Sequence, residues 1–191
     1  MKNYIDYYDL EKYLFDTVRT TFQKEKQLNA FDFFCIIIWK ANRAKSKIAN
    51  LLLKKGKDLP EQVKQLTSQI YNIKSINDKL SALMKDWGFR LPMASAILTV
   101  LYPDHFTIYD TRVCDILNKH KHIDNRKTFD SKLKGYLEYL EDVKNAEPKF
   151  LSLRDKDRYL WGKSFAEQLK KDIATSFHKT RISGSSAVHH P

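Results

Sequence analysis

Turn-forming residues are scarce in this chain: glycine and proline number five each in 191 residues. Sandwiches and barrels spend such residues at turns about every 8–12 positions, so those architectures are disfavoured. The same scarcity argues against a Gly-rich phosphate loop. Helices joined by short links need far fewer turns. The apolar pattern agrees, because Leu10, Tyr13, Leu14, Val18 and Phe22 recur at helical spacing. With 42% hydrophobic and 30% charged residues, the composition is that of a globular protein rather than a disordered one. The length suffices for a sizeable core. The expected fold class is all-α, a single helical domain over residues 1–181 in one lobe or two.

Local signals divide the chain. Asn29 with Asp32 three positions on is a capping pair, and the apolar run 33–39 follows. Isoleucine at 36, 37 and 38 would also suit a central strand, but no partner strand is evident, so a helix is expected. Pro60 fits the first turn of another helix, with Val63, Leu66, Ile70 and Tyr71 on one side. Ser75 and Asp78 form a second capping pair, and Gly88 is placed to stop the helix they open. Pro92 opens the next, Asp110 can cap one at Thr111, and a long one spans about 128–145. Ser152 and Asp155 open the last, which carries Leu160, Trp161, Phe165 and Leu169. In its first turns Arg154, Asp155, Asp157 and Arg158 read as surface pairs.

Charge narrows the partner. Lys plus Arg is 34 against 23 acids, a net charge of +11, which a polyanion such as nucleic acid explains economically. Residues 40–57 alone hold seven basic residues and no acid. Two cysteines, Cys35 and Cys114, are too few for a four-thiolate iron–sulfur cluster or a Cys-rich zinc site. Both read as buried thiols of a reducing compartment. His120 and His122 have no acid or thiol cluster beside them and read as surface basicity, so no metal is expected. No apolar run approaches the roughly 20 residues of a membrane span, and residues 1–4 give no signal-peptide pattern. The expected location is therefore intracellular: cytoplasmic and nucleoid-associated, or nuclear. Residues 182–191 look like a vector-derived tail.

The chemically informative stretch runs Trp87-Gly88-Phe89-Arg90-Leu91-Pro92-Met93-Ala94 and resumes at Ile108-Tyr109-Asp110-Thr111-Arg112-Val113. Two helices joined by a tight link present the second helix's amino terminus, where a phosphate can bind by N–H groups and helix dipole. A carboxylate then stands at the start of the following helix. In this stretch the sequence resembles the helix-hairpin-helix DNA glycosylases, the superfamily of endonuclease III-like and 8-oxoguanine glycosylases. Their pattern is a Leu-Pro-Gly-Val-Gly-type hairpin, a helix, and an Asp in a Val-Asp-Thr-His-Val-type stretch. Gly88 matches the first hairpin glycine, and residues 109–113 match the Asp stretch. A second match is the helix 33–39 with its end at Lys40-Ala41-Asn42-Arg43.

The resemblance implies a glycosylase-like helical fold and base excision on double-stranded DNA, with Asp110 as the catalytic carboxylate. It implies phosphate contacts at Gly88, Arg90, Pro92, Met93 and Ala94, with a monovalent cation allowed at the hairpin. Lys40, Arg43, Lys45 and Arg112 would add basic contacts, and Asn42 would fill the gap left by a flipped base. Trp39, Tyr109 and Trp161 are the candidates to sandwich that base. Two departures are visible. Bifunctional members carry a hairpin Lys where this chain has Pro92, which implies base removal without Schiff-base lyase chemistry. Arg90 replaces the second hairpin glycine. A monomer without cofactor or iron–sulfur cluster is expected. The alternative from a different class is a helix-hairpin-helix DNA-binding module without catalysis, acting as a sensor or recruitment subunit.

Overall fold

A computed structural model describes residues 4–176, and the tail expected at 182–191 lies outside them. Among the described residues every regular element is helical: α1 Leu10–Tyr13, α2 Arg19–Glu25, α3 Ala30–Ala41, α4 Lys45–Leu53, α5 Leu59–Asn72, α6 Ile76–Ser81, α7 Leu91–Leu101, α8 Thr111–Leu117, α9 Phe129–Asn145 and α10 Leu153–Lys171. The expected all-α class holds. Wide π turns, Leu14–Val18 and Ala82–Asp86, join α1 to α2 and extend α6.

Helix starts follow local chemistry. The side chains of Asn29, Ser75, Asp110, Thr128 and Ser152 each accept a backbone N–H of the helix they open. Pro60 and Pro92 sit in first turns, where a missing N–H costs nothing. Gly88 adopts φ +74°, a conformation that a β-carbon disfavours, and this lets the chain reverse between the π turn and α7.

Helix α7 is the centre. All of Met93–Leu101 is buried, so the helix is apolar all round and needs neighbours on every side. Helices α2, α3 and α6 pack on it, and α4 and α5 pack on α3. The second half builds differently, with α8 and α9 both packed on α10. Where helix ends meet the core, buried lysines satisfy orphan carbonyls. Lys79 Nζ donates to Ile70 O at 2.5 Å and to Ile73 O at the end of α5; Lys156 does the same for Lys144 O of α9. Burial lowers the Lys79 ammonium to about 8. Cys35 and Cys114 are free, buried thiols pushed up to about 11 by burial. No helix among the described residues is long and apolar enough to cross a membrane.

Candidate functional site

Residues 106–110 link α7 to α8 without regular structure, and buried hydroxyls hold them in place. Tyr136 Oη donates to Thr107 O at 2.8 Å and accepts from its N–H at 3.3 Å; Tyr139 Oη donates to Ile108 O at 2.6 Å. Ser95 Oγ accepts the Tyr109 N–H at 2.9 Å. Tyr109 Oη donates to His120 O at 2.9 Å and accepts from Ile123 N at 3.0 Å. Burial pushes these phenols upward, so they remain donors at all ordinary pH. The segment delivers Asp110 to the start of α8. There Oδ1 accepts the Arg112 N–H at 3.0 Å and Oδ2 accepts from Lys40 Nζ at 2.6 Å. The Asp110 side chain keeps 21% of its surface exposed.

That exposed surface faces a cavity of about 390 Å³, within the range of small-molecule sites, roughly 300–1,000 Å³. Trp39 of α3 and Trp161 of α10 line it beside Asp110 and Lys40, and Glu11 of α1 with Arg154, Asp157 and Arg158 of α10 adds to the wall. Arg154 stacks on Phe15 and Trp39 at 4.7 and 5.3 Å from the ring centroids. It pairs with Glu11 at 2.8 Å and with Asp157 at 2.5 Å. Asp157 is pushed up to about 6: burial is the main cause and the Asp110 charge adds to it, against the pull of Arg154 and Lys40. At the rim Trp161 and Phe165 stack nearly parallel, 5.7 Å apart, with the Arg112 guanidinium over both rings.

A larger groove, about 860 Å³, adjoins the cavity and shares Lys40 with it. Lys47 of α4 and Lys54 at its end form one bank, and Gly88, Arg90, Pro92 and Met93 the other. The start of α7 is not open as the sequence suggests. Leu91 N–H donates to Asp124 Oδ1 at 3.0 Å, and Met93 and Ala94 N–H bond to Arg90 O at 3.1 and 3.0 Å. Arg90 pairs with the other Asp124 oxygen. The anion at this helix end is the chain's own.

The sequence-derived candidates therefore divide. Asp110, Trp39, Trp161 and Lys40 meet at one cavity. Gly88, Arg90, Pro92 and Met93 line the groove with Lys40. Ala94 is fully buried and presents no surface to DNA. Tyr109 lies outside the cavity; it is 7% exposed, held by its hydroxyl bonds, and touches only the groove. Arg112 covers the rim aromatics. Asn42, Arg43 and Lys45 are exposed beyond the end of α3 and line neither space.

Sequence reasoning missed Glu11, Arg154, Asp157 and Asp124. Arg154 and Asp157 were expected at the surface, yet Asp157 is 3% exposed. The available signal was spacing, since 154, 157 and 161 fall on one helical face. His120 is also not at the surface. Its side chain is 9% exposed, with Nε2 2.7 Å from Asp142, and this bond holds the Asp142 carboxyl below its usual range. Among the described residues no cluster of three His, Cys, Asp or Glu side chains could hold a metal ion. No family model, curated protein or solved structure matches the chain.

Proposed function

We propose that this chain is a monofunctional DNA glycosylase of the helix-hairpin-helix type, excising a damaged or modified base from double-stranded DNA as an intracellular monomer. One observation carries the reading: a partly exposed carboxylate, Asp110, borders an aromatic-walled cavity that opens beside a lysine-lined groove, and Lys40 belongs to both spaces. Breaking an N-glycosidic bond develops positive charge on the sugar. A carboxylate nearby stabilises that charge and can orient or deprotonate water. The base must leave the stack, at a cost of a few kcal/mol, and the cavity lined by Trp39 and Trp161 would receive it. Lys40, Lys47 and Lys54 then hold backbone phosphates without reading sequence. Pro92 has no amine, so strand scission is expected only after alkali.

The test is single-turnover base release from duplexes with single defined lesions, using wild type and Asp110→Asn. Wild type should leave abasic sites on at least one lesion, and the variant should bind that duplex yet stay near background. Full activity in the variant would remove Asp110 from the mechanism. The second reading, a DNA-binding module without catalysis, is favoured by the Lys40–Asp110 pair, which already neutralises the carboxylate. Binding that persists while every lesion survives would select it.

A further inference from the structure

Three carboxylates line the cavity, and Glu11, the most exposed, is paired with both Arg154 and Arg158; the other two lie at different depths. The Asp110 side chain is 21% exposed and ion-paired to Lys40, while the Asp157 side chain is 4% exposed and lies one helical turn from Trp161 on α10. A nucleobase entering between the tryptophans would keep its sugar at Asp110 and bring its far edge to the deeper acid. Resting on the glycosylase reading above, we infer that Asp157 is the general acid that protonates the departing base.

Heterolysis of the glycosidic bond creates charge at both ends, a cation on the sugar and an electron pair on the base nitrogen. Asp110 answers the first charge; the second needs a proton. Arg154 cannot give one up, and the Lys40 ammonium is held by Asp110. Glu11 is held by two guanidiniums, Arg154 and Arg158, and is the more exposed acid, which leaves the buried Asp157 as the donor. Its surroundings are Arg154 on its own helix, Lys40 of α3, Asp110 at the start of α8, and the phenols of Tyr136 and Tyr139 of α9; Glu11 of α1 holds the other side of Arg154. Burial dominates this set and brings the carboxyl to about 6, close to the working range of a proton donor. A neutral Asp157 still accepts from Arg154 through its carbonyl oxygen, which leaves its hydroxyl to donate.

The step balances. The C1′–N bond breaks and its electron pair stays with the base. The Asp157 proton passes to that base, and water adds to C1′. Asp110 takes the proton water loses and releases it to solvent, and solvent returns one to Asp157. The products are a neutral base and an abasic deoxyribose.

The experiment compares wild type and Asp157→Asn in single-turnover base release between pH 5 and 9. The panel of single-lesion duplexes includes 8-oxoguanine, hypoxanthine and 7-methylguanine. Asparagine keeps an acceptor for Arg154. On a neutral base the wild-type rate should fall about tenfold per pH unit above the Asp157 midpoint, and the variant should be roughly 10²–10⁴-fold slower with that limb gone. The 7-methylguanine base is already cationic and leaves neutral, so the variant should remove it at the wild-type rate, which also shows that the variant is folded. Equal rates on a neutral base, equal slowing on both kinds of base, or wild-type activity confined to 7-methylguanine would each overturn the acid role while leaving the glycosylase reading intact. No abasic site from any duplex of the panel overturns the glycosylase reading, and this acid with it.

Discussion

Among the helices that begin on a carboxylate, α7 and α8 put it to opposite uses. At α7 the acid arrives from 33 positions along the chain: Asp124 accepts the Leu91 N–H, pairs with Arg90, and is 8% exposed. The positive end of the helix is closed by the protein itself. At α8 the acid is the cap residue, and Asp110 satisfies Arg112 N–H with one oxygen while the other meets Lys40 at the edge of a cavity. Cap chemistry is the same in both. What differs is the far side of the carboxylate: the chain's own Arg90 in one case, a cavity lined by two tryptophans in the other. An acid at a helix start is therefore a structural device by default, and only its unburied remainder is free for chemistry.

The largest contrast should come from removing charge at each start. Asp110→Asn keeps a good cap and an oxygen to which Lys40 can donate, and loses the charge of one largely buried ion pair, a cost of about 1 kcal/mol. Its melting temperature should stay within a few degrees of wild type, while base release falls roughly 10³-fold. Asp124→Ala should behave in reverse. It strands the Leu91 N–H in the interior and should cost about 3 kcal/mol, which for a chain of this size lowers the midpoint by roughly 6–12 °C in a calorimetric or circular-dichroism melt. An Asp124→Ala protein as stable as wild type would show that the α7 closure is incidental.

A comparable effect is expected from pH, through the buried acid between the two regions. The folded Asp157 carboxyl takes up its proton at about 6, above its unfolded value of 3.8. It therefore stabilises the fold fully below pH 4, and that contribution fades as pH rises through about 6. A shift of this size corresponds to about 3 kcal/mol at most. Between pH 4 and 7, wild type should lose stability relative to Asp157→Asn in urea titrations. Parallel curves would place the proton elsewhere.

These contrasts also mark how far the amino-acid sequence is legible. Asn29, Ser75, Asp110 and Ser152 announce their helices because a cap needs only its own next three residues. Pro92 and Gly88 are equally local, one fixing φ and the other freeing it. Trp39, Lys40 and Trp161 were candidates by residue type, but their meeting at Asp110 depends on how α3 and α10 pack. The filled start of α7 could not be seen from its own residues, since the acid that fills it comes after α8. Asp157 was misplaced for a similar reason. A helix rich in charge reads as solvated until α9 covers one side of it, and Tyr136 and Tyr139 then lie against the acid.

The smallest effect sharpens the comparison at a single side chain. Arg90 lies on the groove, and a basic residue there would ordinarily contact phosphate. Its guanidinium is 66% exposed but already paired with Asp124. Arg90→Ala leaves the Leu91 N–H bonded to Asp124, so the stability loss should be about 1 kcal/mol, the range of an exposed pair. The same variant measures what Arg90 does for DNA. A cation free to release counterions adds about one unit to the slope of log affinity against log salt. Lys47→Ala should lower that slope by about one unit, because Lys47 is an exposed cation on the opposite bank. Arg90→Ala should leave it nearly unchanged, because Asp124 cancels the charge that a phosphate would meet. Equal reductions in the two variants would mean that Arg90 leaves Asp124 when DNA arrives, and that the start of α7 opens to phosphate after all.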